Sequence, residues 1–347
     1  MKKVFFLGIA AAAMLASCSN DETVKISQSG AIGFSNTFVN NGTRSISDPS
    51  STTSNLQSFD VYGFTQNGQI FDEVTVSKDG TGSTWSYSPQ QYWVEGNQYA
   101  FGAIAPANTP VSEEQLLGSS VSDYKVGMTV SFTNTDGKTD LLYAAADNVD
   151  ANESFMADPQ LVGLTFKHQL SKVKFSFLNN VSGAYNIKVT DVKITNAKST
   201  GTLTVSSAAD NSWSNVGGSA LELDFGAAGS AETTADAIAF SSEGETYNEL
   251  LMIPTASTES YTVTFTVELL NGTVSMGTYN HTATISGVEL KLGYCYDFKA
   301  ELNADNIVVD PDDPDAELKP IEFKVSRVED WNQTEQDQTI DIPTGEQ

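Results

Sequence analysis

Along most of the chain, apolar and polar residues alternate with a period of two. Val61, Phe64, Val74, Val76, Tyr99, Phe101 and Ala103 sit in such runs in the first half. Leu164/Phe166, Val173/Phe175/Phe177, Ile187/Val189, Leu203/Val205, Leu221/Leu223/Phe225, Val263/Phe265/Val267 and Tyr296/Phe298 continue them in the second. Successive side chains on a strand point to opposite faces, so each run predicts a strand with one buried face. Gln66-Asn67-Gly68 and Asn271-Gly272 supply hairpin turns. Strands every 8–12 residues with turn signals between them predict a sandwich or barrel in each half. Only Ser112–Leu117 suggests a capped helical turn. Asp147–Pro159 is polar and reads as a linker, which divides the body into residues 45–158 and 159–305.

Two further alternating segments lie outside that body. Ala31–Phe38 places Ile32, Phe34 and Phe38 on one face and leads into the polar loop Asn40-Asn41-Gly42-Thr43-Arg44-Ser45. Exposed polar loops of this kind are where proteases cut. The region 306–347 opens with an acidic, Pro-interrupted spacer, Asp310-Pro311-Asp312-Asp313-Pro314-Asp315, which suits neither a helix nor an interior strand. After it, Ile321, Phe323 and Val325 point one way, with Glu322, Lys324 and Ser326 between them. Thr339–Ile342 offers one more short strand.

Composition agrees with an all-β chain: 39 % of residues are apolar, and Ser, Thr, Asn, Gly and aromatics outnumber helix formers. The 44 acidic and 18 basic residues give a net charge of −26. Nucleic-acid binding needs clustered Lys and Arg, so that partner is excluded. The N-terminus has the order of a lipoprotein signal: Lys2-Lys3, an apolar run Val4–Leu15 too short to span a bilayer, then Leu15-Ala16-Ser17-Cys18. Residues 1–17 are thus a signal peptide and Cys18 the lipidation site. The acidic Ser19–Glu22 resembles a surface-export signal. With Cys18 in the leader, Cys295 has no second cysteine for an internal disulfide.

Several stretches together carry a resemblance. They are the lipobox, the loop arginine Arg44, Tyr92-Trp93 ahead of Tyr99-Ala100-Phe101, and Leu164–Leu170 with its His168. Leu292-Gly293 ahead of Tyr296-Asp297-Phe298 and Val328-Glu329-Asp330-Trp331 complete the set. In this order they resemble the fimbrillin family, the lipoprotein-derived pilins and tip adhesins of type V pili. The resemblance implies two tandem transthyretin-like β-sandwich domains with a C-terminal strand extension. It implies export to the outer membrane as a lipoprotein, cleavage between Arg44 and Ser45 by an Arg-specific protease, and a propeptide of residues 18–44. Loss of the leader strand (Ile32, Phe34, Phe38) would open a groove for a donor strand of the next subunit, here Ile321, Phe323 and Val325. The implied partners are other pilus subunits, that protease, the membrane through the lipid anchor, and a host protein or glycan.

No His-Glu-x-x-His, Cys-x-x-Cys, Gly-x-Ser-x-Gly or P-loop pattern occurs, and no nucleophile–base pair stands out. The chain therefore reads as a non-enzyme without a cofactor or metal. His168, His281 and Cys295 read as packed residues. The acidic side chains of 310–317 could ligate calcium but lack the EF-hand glycine and spacing, and read as spacer. Trp85, Tyr87, Tyr92 and Trp93 could stack on a sugar, although sandwich packing suits them better. The chain reads as a structural pilus subunit that polymerises by donor-strand exchange and serves cell adhesion. Two other readings stay open: a tip or accessory adhesin that accepts a strand but donates none, and a monomeric glycan-binding lipoprotein.

Overall fold

The structure is a computed structural model and describes residues 30–38, 56–78, 85–206, 211–229, 236–307 and 318–331. In chain order the strands are β1 Phe34–Phe38, β2 Ser58–Thr65, β3 Gly68–Lys78, β4 Trp85–Ser86, β5 Gln98–Ala105, β6 Val111–Leu117, β7 Lys125–Thr133, β8 Leu142–Asp150 and β9 Val162–His168. They continue as β10 Ser171–Asn179, β11 Tyr185–Val205, β12 Ser212–Gly229, β13 Glu243–Thr246, β14 Leu250–Met252, β15 Ser260–Asn271, β16 Val274–Ser286, β17 Tyr294–Leu302 and β18 Phe323–Asp330. Two short helices, α1 Glu153–Ala157 and α2 Ala304–Ile307, complete the described elements. The expected all-β sandwich construction is present.

The first sheet has the order β1-β9-β8-β5-β2-β3-β4. Its central strands β2 and β5 are buried on both faces, and the pleat explains how. Phe59, Val61, Phe101 and Ala103 enter a core on one face, with Ile32, Phe34, Leu164 and Phe166. Tyr62, Phe64, Ala100 and Ile104 enter another on the opposite face, with Val126, Val130, Leu203, Leu251 and Trp331. The second sheet runs β16-β15-β11-β12-β13-β10-β17-β18, with β14 on β10. It encloses a third core of Phe175, Phe177, Val189, Phe225, Val263 and Phe298.

The two halves are joined through the long strand β11. Its early part pairs with β15, from Tyr185↔Asn271 to Ile194↔Val263. Its late part pairs with β7, from Thr200↔Thr133 to Val205↔Met128. The hairpin β11–β12 therefore extends from the second half under the first. Strand β9 also lies beyond the expected boundary at residue 158, yet it pairs with β1 and β8 in the first sheet.

Two local expectations are corrected. Ser112–Leu117 is not helical: it forms β6 with Val111, paired to β7, and Ser112 Oγ donates to Thr129 O at 3.2 Å. The ladder offered by β7 outweighs a single capped turn, since one isolated turn satisfies few backbone groups. Asp147–Asp150 is not linker either. Asp150 pairs with Gln98 and Val149 with Tyr99, extending β8 to the end of β5. Helix α1 follows, capped where Asn152 Oδ1 accepts from the Phe155 amide at 3.0 Å.

Candidate functional site: the leader-strand groove

The leader segment lies in a groove at the edge of the first sheet. On one side β1 runs parallel to β9, in register from Phe34↔Val162 to Phe38↔Phe166. The Val162 amide donates to Gly33 O at 2.8 Å. On the other side Ala31 forms an antiparallel bridge with Tyr92, and the Ile32 amide donates to Gln91 O at 2.8 Å. The Tyr87 hydroxyl donates to Ile32 O at 2.6 Å, and burial raises its pKa, so it remains a donor. Backbone pairing on both flanks is how an inserted strand is held.

Side chains fix the register. Ile32 and Phe34 are 1 % and 4 % exposed. The Phe34 ring meets Phe71, Tyr87, Phe101 and Phe59 edge-on, with centroids at 5.5, 5.7, 5.8 and 6.5 Å. These are the distances at which aromatic edges and faces attract. Gly33 faces the opposite way, under Leu161: a Cβ there would lie 2.5 Å from Leu161 Cδ2. Phe38 is in β1 opposite Phe166. Cys18, Arg44 and Ser45 lie outside the described residues, as does the acidic stretch 308–317.

The described part of the C-terminal segment, residues 318–331, pairs elsewhere. Strand β18 pairs antiparallel with β17 at the edge of the second sheet, Phe323 opposite Ala300 and Val325 opposite Phe298. Ile321 is buried in the second-half core. Phe323 packs against Phe175, Phe177 and Phe265 at 5.2, 5.8 and 5.9 Å. Phe323 and Val325 are half-buried against that core. The alternation read from Ile321, Phe323 and Val325 is real, but the face it buries belongs to this chain's own sheet. Just ahead of β18, the Lys319 amide donates to Asp305 O at 3.0 Å and Lys319 Nζ lies 2.6 Å from Asp305 Oδ2.

Trp331 secures the end of β18. It is 2 % exposed, its amide donates to Gly293 O at 2.7 Å, and its ring stacks on His168 at 3.3 Å. Lys172 Nζ lies 3.8 Å from the centroid of the Trp331 ring. His168 Nδ1 is 2.6 Å from Asp140 Oδ2, with both side chains fully buried. His281 packs on Phe265, and burial lowers its pKa, which keeps it neutral. Both histidines are packed residues, as read from the sequence. Cys295 is half-buried in β17.

The candidate aromatic platform does not form. Trp93 is buried, Trp85 packs on Phe59 at 4.9 Å, and Tyr87 serves the leader, which leaves Tyr92 exposed by itself. One acidic trio, Glu243, Glu245 and Asp297, stands out among the described residues. Lys299 pairs with Glu243, and Lys174 with Glu245 at 2.7 Å and Asp297 at 3.9 Å, so ammonium groups already offset its charge. No described helix is long and apolar enough to cross a membrane.

Sequence reasoning found Ile32 and Phe34 but missed Tyr87, Leu161 and Trp331 as the groups that hold the two terminal segments. The single hint was Gly33, a residue without a side chain between two large apolar ones.

Comparison with known proteins places this fold. A fimbrial protein from Bacteroides vulgatus is similar in structure, with a TM-score of 0.54 and 13 % identity over 87 % of this chain and 99 % of its own. The tip fimbrial protein Mfa3 from Porphyromonas gingivalis, with a C-terminal truncation, gives a TM-score of 0.41 and 9 % identity over 80 % of this chain and 94 % of its own. No curated protein registers as a relative by sequence. Residues 43–331, which take in both halves and end at Trp331, match the fimbrillin-like family. The chain belongs to the fimbrillin-like family.

Proposed function

We propose that this chain is a strand-accepting subunit of a surface fimbrium that serves cell adhesion. The observation that carries the reading is the seating of β1. It is an edge strand of the first sheet, and Phe34 at its start and Ile32 just ahead of it are buried in that sheet's core. It joins the body only through residues 39–55, which include Arg44. Cutting that connection leaves the leader held by non-covalent contacts alone. Its departure would bare the Val162–Phe166 edge of β9 and the pockets of Ile32 and Phe34. An unpaired edge beside apolar pockets is a template for another extended segment. Burying two large apolar side chains contributes about 1.5–3 kcal/mol each, and ladder hydrogen bonds add to that. Head-to-tail filling of one subunit's groove by the next does not close on itself, so it builds a filament. The family match begins at residue 43, beside Arg44, and so leaves the leader outside the shared stretch. Export as a lipoprotein through Cys18, with anchoring at the outer membrane until cleavage, is part of the proposal.

The test is N-terminal sequencing of surface-assembled protein together with Arg44→Ala. A new terminus at Ser45, and loss of polymer in the variant, are expected. Filaments built of chains that still begin at Cys18 would overturn the proposal.

The position of β18 favours a second form of this reading. With Ile321 and Trp331 sewn into its own core, the chain accepts a strand more readily than it gives one, which suits a tip or accessory subunit. As a stem subunit it would have to peel β18 from β17, or donate from residues 332–347, where Thr339–Ile342 lies. Stoichiometry separates the two: a tip subunit occurs once per filament, a stem subunit many times.

A further inference from the structure

Away from the leader groove, a cleft of about 490 Å³ opens between the start of β12 and the loops at 254–259 and 289–292. Its wall includes Trp213, and the indole is held from several sides. A Cβ at Gly201 would lie 2.8 Å from the ring's Cε3, so that glycine is what lets the ring lie against β11. Phe132 packs edge-on at 6.1 Å, and Nε1 donates to Gln169 O at 2.8 Å. The two loops are pinned to each other, Thr255 and Leu290 exchanging backbone hydrogen bonds of 3.1 and 3.0 Å. The cleft is therefore built before any ligand arrives, which lowers the ordering cost of binding.

The polar groups that line the cleft are mixed. Glu289 supplies acceptors and Lys291 donors; Ser214 Oγ, which donates to Thr202 O at 3.4 Å, adds an acceptor, and Asn211 Nδ2, which donates to Gln169 Oε1 at 2.8 Å, has its second hydrogen left to give. Glu259 is already paired with Lys198 at 2.9 Å. A cation would want acceptors only. A ring bearing several hydroxyl groups wants donors and acceptors side by side, with an aromatic face for its C–H side. Two carboxylates in the wall and a chain charge of −26 disfavour anionic ligands.

We infer that this cleft is a carbohydrate-binding site that takes a neutral pyranose unit of a glycan, stacked on Trp213. The inference goes beyond the fimbrial reading and does not depend on it. The test uses the full chain on an array of neutral, sialylated and sulfated oligosaccharides, followed by calorimetry with the strongest neutral trisaccharide. Binding to neutral glycans is expected, at least tenfold weaker in Trp213→Ala and clearly weaker in Glu289→Ala. Because Trp213→Ala also removes packing against Gly201, the exposed Glu289→Ala and Lys291→Ala variants keep the test readable if it misfolds. The inference is overturned by binding of no neutral glycan, by neutral binding indifferent to all three changes, or by equal binding of sialylated or sulfated glycans. Capture of a Lys-rich peptide in competition with the sugar would also overturn it, since that would make the cleft a cation site.

Discussion

Phe34→Ala is the sharpest probe of how the leader is held. The ring is 4 % exposed and ringed by Phe59, Phe71, Tyr87 and Phe101 within 6.5 Å. Truncating such a phenylalanine costs about 3–5 kcal/mol, from lost transfer energy and the cavity left behind. If the leader opens as a unit, its closed-to-open ratio falls by roughly 10²- to 10³-fold or somewhat more, at about 1.4 kcal/mol per factor of ten. Hydrogen exchange at the Val162 amide reports that opening, because the amide donates to Gly33 O. Its exchange is expected to accelerate by that factor, with neighbouring β9 amides facing β1. Amides between β15 and β16, in the other half, are expected to stay as they were. An unchanged Val162 would show that Phe34 does not hold the leader in place. Equal acceleration in β15 and β16 would show that the leader is an inseparable part of one global unit, and strand exchange would lose its physical basis.

Other outcomes follow from the same geometry. Trp331→Ala removes a buried ring stacked on His168 and is expected to lower stability to urea by about 3–5 kcal/mol; a loss under about 1 kcal/mol would mean the end of β18 is not anchored there. Deleting residues 319–347 is expected to destabilise the chain by at least as much, since Ile321 leaves the second-half core and Trp331 the core against the first sheet. A folded chain of undiminished stability would restore the free donor strand read from the sequence. Burial pushes the Glu249 carboxyl up from 4.5 to about 7, against the pull of Lys172 and Lys174. The folded chain then keeps a proton that the unfolded chain releases, so this contribution is complete below about pH 4.5 and lost as pH rises to about 7. Glu249→Gln is expected to flatten the fall in stability across that window, by no more than about 3 kcal/mol, in thermal unfolding at several pH values.

The leader strand was legible because Ile32 and Phe34 keep a period of two with only Gly33 between them. Its parallel partner was not: β9 lies more than 120 residues away, and no local pattern names a distant neighbour. The same limit explains β18. Alternation at Ile321, Phe323 and Val325 showed that one face must be buried, while the sheet that buries it depends on which strand edge is left open. β17 leaves one, and its backbone is close at hand. The Ser112 turn and the 147–159 linker were misread for a related reason. Polar residues such as Glu113 and Asp150 sit well on exposed positions of a strand once β7 and β5 offer a ladder, so tertiary pairing overrides local composition. Trp213 gave no signal at all, because its setting depends on Gly201 in the adjacent strand.

Strand β11 has a mechanical consequence. Twenty-one residues at about 3.3 Å each give a spar of up to roughly 70 Å, cross-linked to β15 at one end and β7 at the other. Tension pulling the two halves apart along this spar would load many backbone hydrogen bonds at once in shear, instead of opening them one at a time. A subunit made this way is stiff within itself. A fibre assembled from such subunits would bend where one molecule meets the next.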